Sequence, residues 1–263
     1  MFITLDVCEQ SNAIETALKR GYLFQVYQPK VCARTHTIVG VESLMRWNDP
    51  VYGSVPPSQF IPIAESTGTI NKLTLKAIHD TISQCSVWNK GGMMINVSIN
   101  VSIHDLQNSD ILEHYVNALQ QFNVDPSQIT FEVTETAVML NRSQCAGVLG
   151  TLKAMGSNIS IDDFGTGHAS FIYLKHFPIS EIKIDKVFVD DVLTSSFDRK
   201  IVKFTIDLAH ELGCKVVAEG VENQATAEAL LGMGCDVLQG YYFGKPMSGT
   251  DVFHTFHRQE ALI

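Results

Sequence analysis

The sequence predicts a TIM-like (β/α)8 barrel whose first strand runs antiparallel to the rest. Three observations carry this. Eight strand-like stretches alternate with helix-like ones over about 250 residues, which implies crossover connections and a closed, mostly parallel sheet. The later strands are apolar up to their carboxyl ends and polar there. Only residues 32–37 separate the first two strands, too few for a crossover helix, so that pair must be antiparallel.

Taken in order, period-two patterning places strands at about 23–31, 38–47, 93–102, 129–134, 159–163, 181–185, 215–220 and 236–240. Apolar residues recurring at three and four place helices at about 12–20, 70–88, 111–122, 142–155, 170–177, 199–212, 223–233 and 250–257. Asn12 followed by Glu15 reads as a capping box for the first helix. Gly156, Gly213 and Gly234 stand where a helix must turn left-handed before the next strand. Segment 48–57, with Pro50, Gly53, Pro56 and Pro57, reads as the most punctuated insertion. No linker interrupts the pattern, so one domain over 1–263 is expected, its core at about 12–258.

Composition narrows the function classes. With 263 residues, 45% hydrophobic and 18% charged, the chain can bury a large core without staples. Its 19 basic and 28 acidic residues give 19 − 28 = −9, a sign that repels DNA, RNA and anionic lipid. Neither nucleic acid nor a membrane is therefore expected as a partner. The six cysteines form no C-x-x-C pair and read as reduced thiols, and the histidines show no metal-ligand spacing. No apolar run approaches 18 residues, and Asp6 and Glu9 stand where a signal peptide would carry lysines, so a cytoplasmic protein is expected.

The strand ends carry Glu42, Asn100, Glu132, Asp162 with Asp163, Lys183, Glu219 and Gln239, and a barrel gathers such ends at one mouth. Alternation sets Glu42, Leu44 and Arg46 on one face of their strand, with Val41, Ser43, Met45 and Trp47 on the other. The apolar set suits the helix layer, so Glu42 and Arg46 should face the lumen, and by the same parity so should Glu132. A Ser43 hydroxyl directed at the helices would be met by a backbone carbonyl. Taken singly, each strand-end carboxylate is most simply a solvated loop residue or a helix cap, and Lys183 a surface amine. Their joint occurrence at seven strand ends is not explained that way.

Several carboxylates in one pocket raise each other's pKa unless a counter-charge is present. Oxygen donors from Glu, Asp and Asn suit Mg²⁺ or Mn²⁺, and this many could hold two ions about 3.5–4 Å apart, an arrangement suited to a phosphate ester. Asp162 could serve both ions only if the backbone turns at Asp162-Asp163, and Gly165 and Gly167 permit a turn. Lys183 then suits an attacking hydroxide or a non-bridging oxygen, and Arg46 the phosphate. Carboxylates, a lysine and Mg²⁺ in a barrel also suit proton abstraction through an enolate, which spacing alone leaves open.

These motifs resemble the bacterial EAL domain, the cyclic di-GMP phosphodiesterase family, over essentially the whole chain. They are Tyr27-Gln28-Pro29-Lys30-Val31, Glu42-Ser43-Leu44-Met45-Arg46-Trp47, Phe60-Ile61-Pro62-Ile63-Ala64-Glu65, Asn100-Val101-Ser102, Glu132-Val133-Thr134-Glu135, the run 162–167, Lys183-Ile184-Asp185, Glu219-Gly220-Val221-Glu222 and Gln239-Gly240-Tyr241. The resemblance implies hydrolysis of cyclic di-GMP to linear pGpG. It implies that Glu42, Asn100, Glu132 and Asp162 hold one Mg²⁺ or Mn²⁺, and Asp162, Asp163 and Glu219 a second. Lys183, Glu219 and Glu42 would be catalytic, with Lys183 beside the nucleophilic water. Gln28, Leu44, Arg46, Glu222 and Gln239 would line the substrate site. Glu135 would brace loop 162–167, which in the family lies close to a homodimer interface.

The name motif has Ser43 where the family has Ala, and His168-Ala169 replace the usual Tyr-Ser. Asn96 precedes Asn100 in a similar setting, and Asn100 is preferred because Ser102 and Leu106 follow at the family's spacing. No stretch resembles a cyclase or sensory module. The alternative within the family is a catalytically silent EAL protein that senses cyclic di-GMP or binds a protein partner.

Overall fold

The computed structural model describes residues 2, 5–108, 110–140, 142–166 and 177–260. A helix, α1 (Val7–Arg20), precedes the hairpin of β1 (Leu23–Cys32) and β2 (Ile38–Asp49). Parallel strands follow: β4 (Asn96–Asn100), β5 (Ile129–Thr134), β6 (Asn158–Phe164), β7 (Glu181–Ile184), β8 (Lys215–Ala218) and β9 (Val237–Gln239). Hydrogen-bonded neighbours run β1-β9-β8-β7-β6-β5-β4-β2, and β1 pairing with β2 closes the ring. Strand β1 is antiparallel to both its neighbours, while β2 and β4 through β9 are mutually parallel. The closed barrel with an antiparallel first strand is the one the short connection 32–37 predicts.

Around it pack α3 (Ile70–Lys90), α4 (Asp110–Phe122), α6 (Arg142–Ala154), α8 (Ser196–Glu211), α9 (Gln224–Met233) and α10 (Gly249–Glu260). Their stops follow the glycine reading: Gly156, Gly213 and Gly234 have φ of 103°, 72° and 96°. The start of α1 does not. Its capping box is Asp6 with Glu9, each side chain accepting the other's backbone N–H, so the helix opens a turn and a half before Asn12, which lies inside it.

The punctuated insertion is also more ordered than its composition predicts. Residues Gly53–Val55 form β3, which extends β2 as an antiparallel hairpin, and α2 (Pro57–Thr67) follows directly. Pro57 takes the first helical position, where its missing N–H costs nothing. Two further short helices, α5 (Glu135–Leu140) and α7 (Lys186–Asp190), follow β5 and β7 without a loop long enough to signal them. The helix expected at 170–177 lies outside the described residues except for Phe177.

The strand alternation sorts side chains as predicted. Val41, Ile129, Phe131 and Val133 point outward into the buried layer beneath the helices. Ser43 also points outward, donating to Gln25 Oε1 (3.1 Å) and sharing a 2.7 Å hydrogen bond with Thr81 on α3. Its partners are thus side chains rather than the expected backbone carbonyl. A second apolar cluster, with Trp47 between the rings of Phe2 (4.9 Å) and Phe60 (5.7 Å), seats α1 and α2 against the hairpin.

Candidate active site

Glu42 stands at the inner face of β2. Its Oε1 accepts from Asn100 at the end of β4 (2.8 Å), and its Oε2 accepts from Gln239 at the end of β9 (2.7 Å). Gln239 donates as well to Gln28 of β1 (3.2 Å), the residue paired with Glu42 across the hairpin. The alternative asparagine, Asn96, lies at the opposite end of β4, where it accepts from Thr130 (2.7 Å). Asn100 is therefore the one that meets Glu42.

Lys183 rises from β7 into the middle of this ring and is fully buried. Its ammonium reaches Glu219 at 2.7 Å, Glu132 at 2.8 Å, Asp162 at 3.0 Å and Glu42 at 3.5 Å. The turn that brings Asp162 and Asp163 together is made by Asp163 itself, whose φ is 54°, together with Gly165 at 96°. The β6–β7 register shifts between Ile161 and Phe164, so the strand bulges at the acidic pair instead of splaying the two side chains apart. One oxygen from each of Asp162, Asp163 and Glu219 lies within 4.8 Å of the others. Beneath them, buried Glu135 accepts the Gly165 N–H at 2.9 Å and so ties the start of the loop to α5. Gly167, His168 and Ala169 lie outside the described residues.

The charges compete. Burial would push the Glu132 carboxyl up, but the Lys183 and Lys30 ammoniums against it hold it down at about 2. Glu219 is raised to about 8, because burial and the charges of Asp162 and Glu42 outweigh Lys183. Asp163 is raised to about 6 by burial, by Asp162 and by Asp185. Glu42 is raised too, by burial and Glu132. For Lys183, burial works against the charge, yet four surrounding carboxylates hold it well above the ordinary lysine value.

These residues fit divalent ions. The donors are hard oxygens, the set suited to Mg²⁺ or Mn²⁺. In and below the mouth six carboxylates (Glu42, Glu132, Asp162, Asp163, Glu181, Glu219) face two ammoniums (Lys30, Lys183), and the raised carboxyls mark the uncompensated charge.

The mouth opens into a cavity of about 340 Å³ lined by Gln28, Glu42, Leu44, Asp162, Lys183, Glu219, Glu222 and Gln239, together with Lys186 and Tyr241. Four of the five expected substrate residues are there. The fifth, Arg46, lines an adjoining cleft of about 410 Å³, walled by Ile61, Leu73, Ile99, Val101 and Ile103 and sharing Leu44 with the cavity. Its guanidinium donates to the Met45 carbonyl (2.9 Å) and lies near Tyr241 and near Glu42, whose carboxylate acts on it. Gly240 closes the wall: any Cβ there would sit 2.1 Å from the Val221 carbonyl oxygen.

Three participants are given no role by the motifs, although Lys30 and Asp185 fall inside two of them. Lys186 pairs with Glu222 and with Asp190, so Glu222 is held rather than free. Asp185 caps α7 by accepting the Val187 N–H (2.7 Å) while its charge acts on Asp163. Lys30 lies buried against Glu132 at 2.6 Å. The same parity that turns Gln28 inward turns Lys30 inward, and that was the available signal.

Comparison with known proteins agrees with the geometry. A family profile described as "EAL domain" matches residues 11–246. The chain is similar to the bifunctional diguanylate cyclase/cyclic di-GMP phosphodiesterase MucR of Pseudomonas aeruginosa, 40% identical over 89% of this chain and 34% of that protein. It is similar also to the cyclic di-GMP phosphodiesterase PA2567 of the same organism, 36% identical over 84% of this chain and 38% of that one. The chain spans about a third of the length of the curated relatives it matches. Among solved structures, the PaMucR phosphodiesterase in complex with c-di-GMP superposes with a TM-score of 0.88, at 38% identity, covering 92% of this chain and 98% of that one. The EAL enzyme Bd1971, with cAMP and cyclic di-GMP bound, gives 0.90 at 30% identity, covering 95% and 69%.

Proposed function

The chain belongs to the EAL domain family, and on that premise we propose that it hydrolyses cyclic di-GMP to linear pGpG with divalent metal ions at the barrel mouth. The observation that carries this is the meeting of Glu42, Glu132, Asp162 and Glu219 around one buried lysine, with Asn100 against Glu42 and Asp163 beside Asp162 and Glu219, at the base of a cavity lined by Gln28, Leu44, Glu222 and Gln239. Glu42, Asn100, Glu132 and Asp162 would hold one Mg²⁺ or Mn²⁺, and Asp162, Asp163 and Glu219 the other. The chemistry such a pair supplies is activation of water and stabilisation of attacking and leaving oxygens.

In the reaction a water oxygen attacks phosphorus and the bond from phosphorus to one ribose 3′ oxygen breaks. That oxygen leaves with a proton, so the product ends in a 5′-phosphate. Lys183 stabilises charge on the attacking or non-bridging oxygen, and Arg46 takes the phosphate. The polar cavity and the adjoining apolar cleft, joined at Leu44, match a ligand that has phosphates at its centre and flat bases at its ends. The enolate alternative has less support, because one proton abstraction does not call for the Asp162-Asp163-Glu219 group.

We infer further that the protein acts in the cytoplasm as a homodimer. The support for the dimer is the Glu135 tie to Gly165, which fixes the start of the loop that in the family borders the interface. Sedimentation showing a fully active monomer at micromolar concentration would remove the dimer. Incubation of purified protein with cyclic di-GMP and Mg²⁺ or Mn²⁺ should yield pGpG. No product with either metal, while an active relative turns over alongside, would overturn the enzymatic reading.

A further inference from the structure

We propose that Lys30, which no motif role claims, is a positioning residue that holds Glu132 in place for the divalent site. The inference rests on the metal-dependent reading of the mouth. The interior of a (β/α)8 barrel is ordinarily packed with bulky branched side chains. Here the layer below the mouth offers Gly40, Ser98, Thr130 and Ser160 instead, and the space admits Lys30 from β1 and Lys183 from β7, both buried.

Lys30 makes three contacts: Ser98 Oγ at 2.8 Å, Glu132 Oε1 at 2.6 Å and Glu181 Oε1 at 3.3 Å. An ammonium has three donors, so the head group is fully engaged and its direction fixed. Glu132 is clamped from two sides. Lys30 takes Oε1 from below, and Lys183 takes Oε2 from the mouth side. Glu181 anchors the far end of the row, so that carboxylate and ammonium alternate from Glu219 through Lys183, Glu132 and Lys30 down to Glu181. Lys30 does not line the cavity, so it acts through Glu132 and not on the substrate.

Charge and position make opposite forecasts. If Lys30 only added positive charge near a cation site, removing it would tighten divalent binding. If it positions Glu132, removing it leaves Oε1 buried without a donor and the carboxylate free to turn, and binding weakens. Mn²⁺ titration by calorimetry or electron paramagnetic resonance tells these apart without any turnover assay. Lys30→Met should weaken Mn²⁺ binding roughly tenfold or more, the scale of losing a group that orients a metal ligand. It should lower kcat while leaving KM for cyclic di-GMP within about twofold.

In a Glu132→Gln background the same change should cost nothing further, because the route through Glu132 is already cut. Ser98→Ala, which removes one Lys30 acceptor and leaves Glu132 untouched, should weaken Mn²⁺ about threefold and serves if Lys30→Met does not fold. Wild type that binds Mn²⁺ while Lys30→Met and Ser98→Ala bind it with unchanged or tighter affinity, or full additivity with Glu132→Gln, would overturn the Lys30 role alone. Wild type that binds no Mn²⁺ would overturn the metal reading of the mouth, and Lys30 with it.

Discussion

On their outer side the strands present Val41, Val97, Phe131, Ile159, Ile182 and Val216, each at 1% exposure or less. On their inner side, alternate positions of these strands present Glu42, Ser98, Thr130, Glu132, Ser160 and Lys183, also buried, Glu42 the most open of them at 6%. The two faces lie one residue apart in sequence and are governed by different terms. The outer face gains from apolar burial and close packing, so its members are interchangeable within the limits of volume. The inner face buries charge, which is tolerated only when every partner is in place. A change outside should therefore move stability and spare chemistry, whereas a change inside should move chemistry first, and stability too where it leaves a buried charge without its partner.

The largest effect tests the inner face. Asp162→Ala removes a contact of Lys183 and one of the three carboxylates, Asp162, Asp163 and Glu219, whose oxygens lie within 4.8 Å of one another. Turnover should fall by roughly 10³-fold or more, beyond the loss from a single electrostatic donor, while the melting temperature holds. Retained turnover with altered stability would dissolve the contrast between the faces. Phe131→Ala tests the outer face: Phe131 is fully buried edge-to-face on Tyr115, with ring centroids 5.0 Å apart. It should cost about 3–5 kcal/mol of stability and leave kcat per folded molecule within about twofold. Lys183→Ala comes next, slowing the chemical step roughly 10²-fold or more. A single-turnover rate near wild type would show that the lysine only balances charge in the metal-free site.

How much of this was readable depended on which face is concerned. Parity along β2 and β5 sufficed to turn Glu42 and Glu132 inward and Ser43 outward, because a strand has only two faces. Motif spacing supplied the strand ends, since a barrel has a single mouth at which they collect. What parity cannot supply is partnership. That Lys183 would be shared by four carboxylates depends on which strands lie across the lumen. That Asp163, rather than a glycine, would make the turn depends on a left-handed φ that only tertiary context enforces. Short helices such as α5 and α7 escaped for lack of length, since six or five residues show no complete apolar period. The α1 cap was misplaced because Asn12 and Glu15 satisfy the same four-residue pattern as Asp6 and Glu9.

The mouth should also announce itself through pH. A carboxyl raised in the folded chain stabilises it fully below the unfolded value, and that contribution is lost as pH climbs through the folded value. For Glu219 the window runs from about 4.5 up to about 8. Glu132, held at about 2, contributes stability that is present above about 4.5 and lost as pH falls toward 2. Metal-free protein should thus lose melting temperature from the Glu219 side as pH rises toward 8, and saturating Mn²⁺ should flatten that limb by supplying the missing positive charge. A metal-free profile that is flat between pH 5 and about 8.5 would mean that Lys183 alone balances the site.

Ser43 offers the smallest effect and the finest division between the faces, since it is adjacent in sequence to Glu42 yet directed at α3. Its hydroxyl links Gln25 to Thr81, so Ser43→Ala leaves the Gln25 oxygen without its donor and takes one partner from Thr81, which keeps Tyr27, in a layer where alanine would otherwise pack well. The variant should lose about 1 kcal/mol, the net worth of such a hydrogen bond, and the melting temperature should fall rather than rise. Adding Thr81→Val should deepen that loss, because it takes the Thr81 hydroxyl from the buried Tyr27 hydroxyl as well. Throughout, kcat should stay within a few-fold of wild type. A tenfold change in kcat at unchanged melting temperature would mean that the hydroxyl reports to the lumen through the backbone of Glu42, and that one residue of separation does not insulate the two faces.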